Sequence, residues 1–348
     1  MSNKYKSSAT IIPLEQAVGK VIAHDITEIR PGQFKGPAFK KGHVVQEKDL
    51  PHLRRVGKEH LFALHIGPNE LHEDEAAIKL ANALAGPGVI VEGPPSEGKI
   101  SLKSEHRGLL KVNVDALTEL CLIPDICCAS RHNNTFVEKA AKLADTRAIP
   151  LIIDKEILDS AVHIASAAGG IFSVRPLSQP ETGLVITGNE VSSGLIDDKF
   201  APIIRKKMEF FKCEIKKTLF APDDMTEIIN SIKELKEIGC ELILVAGGMS
   251  VDPDDISRIA IEKAGAENVV YGTSVLPGAM LLYGQIGDIP VLGLPACVLF
   301  YRATVFDLVL PRVLAGEPIT RKDLALMAHG GLCLNCKQCH YPVCPFGK

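Results

Sequence analysis

Two clusters in this 348-residue chain carry residue types that can do chemistry. The first is Leu242 to Asp255, LILVAGGMSVDPDD, where an apolar run enters the pair Gly247-Gly248 and is followed by Ser250, Asp252, Asp254 and Asp255. Adjacent glycines permit φ > 0 and bring backbone N–H groups close to an anion, and a carboxylate a few residues on can hold a divalent cation against a phosphate. The same pair also suits a plain strand-to-helix turn, so alone it leaves both readings open. The second cluster is the C-terminal run GLCLNCKQCHYPVCPFGK, which spaces Cys333, Cys336, Cys339 and Cys344 as C-x2-C-x2-C-x4-C-P. So short a tail cannot build an apolar core, and four thiolates converging on a metal are the expected source of its order. The short spacing favours a [4Fe-4S] cluster over zinc, with His340 as a candidate replacement ligand.

The elements that must position the first cluster are buried strands. Gly183 to Gly188, GLVITG, is an apolar run ending in glycine, followed by Asn189, Glu190, Gly194 and the acidic pair Asp197-Asp198 ahead of a helical pattern. A third run, Ile289 to Leu294, ends in Pro295 and Ala296 before a helix through Val309. Three strand ends with turn chemistry predict ligands bound beyond the carboxyl edge of a parallel sheet.

With these residues in place, Thr187 to about Leu314 resembles the molybdopterin-binding domain of molybdenum-cofactor biosynthesis proteins, and most of all the version in molybdopterin molybdotransferases. The TGxEL turn of that family is matched by Thr187-Gly188-Asn189-Glu190-Val191 and its G-x-I-x-D by Gly194-Leu195-Ile196-Asp197-Asp198. Its GG-x-S-x-G-x-x-D loop is matched by Gly247 to Asp255, and its LPGNP loop by Leu294-Pro295-Ala296-Cys297-Val298. The chain departs from the pattern at Asp252, where the family has glycine, and at Ala296-Cys297-Val298. It departs again at Pro277-Gly278-Ala279-Met280, where the family carries a lysine. The weaker N-terminal likeness, Pro13 to Arg30 and Gly42 to Leu64, skips the acidic segment that completes the family's active site.

The resemblance implies an α/β fold: a three-layer α/β/α molybdopterin-binding domain with a mainly parallel sheet over residues 179–328. A β-rich module over 1–70 and a second α/β unit over 71–178 precede it, and a Cys-rich metal-binding tail over 329–348 follows. It also implies Thr187, Gly188, Asn189, Glu190, Gly194, Gly247, Gly248, Ser250 and Pro295 around molybdopterin or its adenylate, with Asp198 and Asp255, joined by Asp254, holding Mg2+ or positioning molybdate. Three functions follow: molybdate insertion with release of AMP, non-catalytic binding, delivery or sensing of the cofactor for a molybdoenzyme client, and adenylyl transfer to molybdopterin.

The remaining sequence sets bounds. At 46% hydrophobic residues the chain can bury two or three cores, and a net charge of −3 without a basic, aromatic-interleaved patch excludes nucleic acid as an expected partner. The N-terminal apolar run is too short for a signal peptide and no segment reaches the roughly 20 apolar residues of a membrane span, so a cytoplasmic protein is expected. The oligomeric state, homo-oligomer included, stays open. Cys121, Cys127, Cys128, Cys213, Cys240 and Cys297 lie in or beside apolar runs and are read as small buried hydrophobes. In the middle of the chain, helices are predicted over Glu73 to Leu84, about Asn134 to Leu143 and Lys155 to Ala167, with Asn133 or Asn134 as a cap. Arg131, His132, Lys99 and Arg147 are candidate anion contacts, with surface pairing as the plainer alternative.

Overall fold

The computed structural model describes residues 10–63, 66–192, 194–195, 197–253 and 255–347. They gather into two compact units, Met1–Asn133 with Val137–Arg175, and Asn134–Phe136 with Pro176–Lys348.

The second unit is built on strands apolar on both faces. Every residue of Thr182–Thr187 and of Leu242–Ala246 is buried. Successive strand residues point to opposite sides, and Leu184 and Ile186 enter one core while Val185 enters another. The six-stranded sheet runs in the order Ile215–Ala221, Thr182–Thr187, Leu242–Ala246, Ile289–Leu294, Leu282–Ile286, Glu267–Tyr271. The first four strands are parallel, and Leu282–Ile286 runs antiparallel to both its neighbours.

A parallel sheet must be covered on both faces, because its crossover helices lie there. Helices Phe200–Phe210 and Val305–Leu314 bring Ile204, Met208, Phe306 and Val309 onto Leu184, Ile186 and Leu244. On the other face, helix Met225–Glu237 buries Ile228, Ile232 and Leu235, a stripe at i, i+4 and i+7. Together with Ala260 and Ile261 of helix Ser257–Lys263, these cover Val185, Ile243 and Val245. Helix, sheet and helix make the three layers that the resemblance implied.

In the first unit the N-terminal stretch is β-rich. The hairpin Ile26–Arg30 with Phe34–Phe39 and the pair Thr10–Pro13 with His60–Ala63 close around Leu14, Ile22, Ile26, Leu53 and Leu61. Beyond it, helix Glu73–Leu84 covers an antiparallel sheet ordered Val89–Ser96, Lys99–Ser104, Lys142–Ala148, Ile126–Ser130, and helix Lys155–Ala167 packs on that helix. Both helices form over the expected residues, each capped by the residue before it. The Asp154 carboxylate accepts from the Glu156 amide at 2.8 Å, and the His72 ring accepts from the Asp74 amide at 3.1 Å.

The helix expected over 134–143 does not form. The chain makes a strand Thr135–Val137, a turn with Ala140 at φ 62° and the strand Lys142–Ala148. Strand hydrogen bonds along both edges, to Lys99–Ser104 and Ile126–Ser130, outweigh the helix propensity of the Ala-Ala-Lys-Leu-Ala run. Asn134 sits at φ 60° and Asn133 accepts from the Val112 amide at 3.0 Å, so neither caps a helix. Asparagine suits caps and left-handed turns alike, which is why the cue misled. The cysteine reading also needs correcting, because Cys213 and Cys240 are buried but Cys121 and Cys127 are exposed and Cys128 and Cys297 are half-buried. Burial pushes the Cys128 thiol up to about 12. Of the candidate cations, Arg131 donates to the Lys142 carbonyl at 2.6 Å and Arg147 pairs with Glu73 at 3.0 Å.

Candidate functional site

From Thr182–Thr187 the chain crosses by helix Phe200–Phe210 to a strand on one side, then returns by helix Met225–Glu237 to Leu242–Ala246 on the other. The two connections diverge between these neighbouring strands, and such a reversal opens a crevice beyond their carboxyl ends. Register brings the ends level: Ile186 lies opposite Ala246, Ala246 opposite Leu294 and Thr187 opposite Ala221. Gly188 and Asn189, Gly247 to Ser250, Pro295 and Asp223 therefore all follow strand ends on one edge of the sheet.

Close backbone approach explains the glycines here. Gly247 has φ 103° and Gly248 φ 59°. A Cβ on Gly248 would stand 2.4 Å from the Ser257 hydroxyl, itself fully buried at the first position of its helix. That hydroxyl lies 3.0 Å from the hydroxyl of Thr187, which is also buried and reaches the Ala246 carbonyl at 3.4 Å. Thr187, Gly247, Gly248 and Ser257 form one knot joining both strand ends to the helix. Ser257 escaped notice in the sequence, where its only signal was a small hydroxyl residue at a helix start. The Gly247 amide donates to the Leu294 carbonyl at 3.2 Å, so anion contacts fall to the amides from Gly248 onward.

The polar residues nearby hold the turns. The Asn189 side chain accepts from the Asp223 amide and the Asp223 carboxylate accepts from the Asn189 amide, both at 3.1 Å, so Asp223 is a second edge residue that sequence reading missed. Glu190 and Ser250 are exposed, and Gly194, at φ 74°, donates its amide to the Val191 carbonyl. The Asp198 carboxylate accepts from the amides of Phe200 at 2.7 Å and Ala201 at 3.1 Å, tying down a helix start. The Asp255 carboxylate accepts from the Asp252 amide at 3.3 Å, and the Asp255 amide donates back to the Asp252 carbonyl at 2.9 Å. Asp254 and Ile196 lie outside the described residues. Among the described residues, no three of the His, Cys, Asp and Glu side chains are grouped to hold a metal ion.

Residues 183–315 match the model of a family described as a probable molybdopterin binding domain. This segment is a molybdopterin-binding domain. Residues 11–65 match a second family, a domain of unknown function. A molybdopterin molybdenumtransferase of Synechococcus elongatus is 24% identical over 142 residues, 38% of this chain and 35% of the relative. One of Haemophilus influenzae is 25% identical over 154 residues, 42% and 38% of the two chains. The matched region thus spans little more than a third of these curated relatives. Among solved structures, the molybdopterin biosynthesis enzyme MoaB of Thermus thermophilus aligns with a TM-score of 0.34 at 20% identity, covering 40% of this chain and 98% of its own. The molybdopterin biosynthesis protein MoeA of Pyrococcus horikoshii aligns with a TM-score of 0.32 at 14% identity, covering 88% and 75%. No helix among the described residues is long and apolar enough to cross a membrane.

Pro295 of the molybdopterin-binding domain is buried and lines a cavity with Pro277, Ala279, Met280 and Cys297, to which Leu332 and Cys333 of the tail contribute. The tail itself is packed on the unit. Leu276 and the tail exchange amide bonds, to the Gly331 carbonyl and from the Cys333 amide, each at 2.8 Å. The Tyr341 hydroxyl donates to the Asp307 carbonyl at 3.0 Å, and Phe346 is buried in the same core as Val305 and Phe306. Apolar packing thus supplies order that the sequence pattern assigned to metal alone. Cys333, Cys336, Cys339 and Cys344 nevertheless line one cavity of about 220 Å3, with His340 beside them.

Proposed function

We propose that this protein acts in molybdenum-cofactor biosynthesis as a molybdotransferase-like enzyme, inserting molybdate into adenylylated molybdopterin with loss of AMP. The supporting observation is the meeting of Thr187 with Gly247 and Gly248 at the switch point of a molybdopterin-binding domain. Both curated relatives described above bear the name molybdopterin molybdenumtransferase. In this reading the amides from Gly248 to Ser250 bind the phosphate of the pterin adenylate, and Asn189, held by Asp223, orients the opposite wall of the crevice. The carboxylates of Asp255 and Asp198 keep lone pairs beyond their backbone bonds; these two residues would hold Mg2+, which would supply charge neutralisation for the phosphate. The protein supplies binding and charge stabilisation, with no side-chain nucleophile.

A second reading, cofactor binding and delivery without turnover, draws on two observations. Ala279 stands on the cavity wall beside Pro277 and Met280 and brings no cation to it, and Asp198 is already engaged at a helix start. Anaerobic incubation of the protein with adenylylated molybdopterin, Mg2+ and molybdate, following AMP and retained pterin together, separates the two. Molybdate-dependent AMP release supports the transferase, retained pterin without AMP supports the carrier, and neither signal refutes both.

A further inference from the structure

The cavity that the four tail cysteines line together with Phe300–Ala303 is unused by the chemistry proposed above. The segment around it is a closed loop, because the Gly347 amide donates to the Gly330 carbonyl at 2.9 Å and pins the two ends of the tail together. One end is also held by the amide bonds between Leu276 and Gly331–Cys333, the other by buried Phe346. Between these anchors all four cysteines line the same cavity. Asn335, at φ 49°, turns the chain between Cys333 and Cys336.

The arrangement also bears on which centre fits. A single zinc ion binds sulfur at about 2.3 Å, which requires four sulfurs within roughly 4 Å of one another. Among the described residues no three ligating side chains are grouped for one ion, although four thiols share a cavity. A cubane carries its cysteine ligands on separate corners, so it calls for four thiols around one space rather than four sulfurs at one point. Tyr301, Leu332, Cys333 and Asn335 line both this cavity and the neighbouring one under Pro277–Met280. Cys333 is thus a ligand candidate on one side and part of a cavity wall on the other.

We propose that Cys333, Cys336, Cys339 and Cys344 hold a [4Fe-4S] cluster and that the loaded tail forms a rigid wall of the cavity under Pro277–Met280. The cluster stands whether or not the transferase reading does; that reading bears only on what fills the second cavity. Loading the four thiols fixes Cys333, and through its amide bond to Leu276 it fixes the start of the Pro277–Met280 loop. Metal content would then set how well that cavity is formed.

The test uses the full chain, purified without oxygen and supplied with ferrous iron and sulfide, with iron, acid-labile sulfide and zinc measured per chain. About four irons and four sulfides are expected, lost in large part in Cys336→Ser and in Cys339→Ser and retained in Cys127→Ser. Zinc without sulfide, or iron retained in both tail variants, overturns the cluster. Hydrogen exchange at the Leu276 and Cys333 amides, compared between unloaded and loaded wild-type protein, tests the wall without any variant. Slower exchange on loading, with the Val185 and Leu244 amides unchanged as a check on the fold, is expected. Equal exchange at Leu276 and Cys333 overturns the coupling.

Discussion

Gly247 and Thr187 approach so closely that a Cβ on Gly247 would stand 2.6 Å from the Thr187 carbonyl oxygen. The two strand ends flanking the switch point are therefore locked backbone to backbone, and one methyl group would part them. Gly247→Ala is expected to cost more stability than Gly265→Ala. Gly265 has nearly the same φ, 100°, but open space where its Cβ would go, so it reports the cost of the backbone conformation alone, about 1–2 kcal/mol. Equal losses for the two variants in denaturant unfolding would show that the contact with Thr187 is immaterial.

The hydroxyl pair of Thr187 and Ser257 should behave as a unit. Thr187→Val leaves a buried Ser257 hydroxyl without this partner, and Ser257→Ala does the converse, each at about 1–3 kcal/mol. The double variant is expected to lose less than the sum of the two, with a coupling of about 1 kcal/mol. Additive losses in a double-mutant cycle would mean that the two hydroxyls do not depend on each other.

Asp198 and Asp255 should separate stability from activity. Asp198→Ala removes an acceptor from the amides of Phe200 and Ala201 and is expected to cost about 1 kcal/mol of stability, whereas Asp255→Ala, in an exposed turn, should cost less. If both bind Mg2+, Asp255→Ala and Asp198→Asn each abolish AMP release while the far-UV circular dichroism stays unchanged. Undiminished release in both variants removes these carboxylates from the mechanism.

The Arg312 network predicts a pH dependence. Arg312 is 6% exposed and donates to Glu317 at 2.9 Å and to Asp323 at 2.7 Å. Burial alone would raise the Asp323 carboxyl, but hydrogen bonds from Thr320 and Arg312 prevail and hold it below its ordinary value of 3.8. A carboxyl lowered in the fold stabilises above its unfolded pKa, and that contribution disappears as pH falls through the folded value. Asp323→Asn is therefore expected to cost about 1–3 kcal/mol near neutrality, with the gap to wild type narrowing below pH 3.8. A gap of constant size down to pH 2 would contradict this assignment, and urea unfolding at several pH values measures it.

What could be read from the sequence is what a few neighbouring residues encode. The burial of GLVIT and LILVA, and the helices Glu73–Leu84 and Lys155–Ala167, follow from apolar patterning that lies inside the segments themselves. Gly247, Gly248 and the polar residues after Thr187 were visible for the same reason, since unusual turns require particular residues. The tertiary structure alone decided which strand ends stand side by side, and with that the partners of each group. Ser257 meets Thr187 across 70 positions of chain and Asp223 meets Asn189 across 34, distances at which no local pattern speaks. The same holds for Lys142–Ala148, whose helix-forming residues become a strand because strands on both sides complete its hydrogen bonds. It holds too for the tail, where cysteine spacing pointed to a metal but Phe346 and Tyr341, packing on a distant helix, determine where its thiols lie.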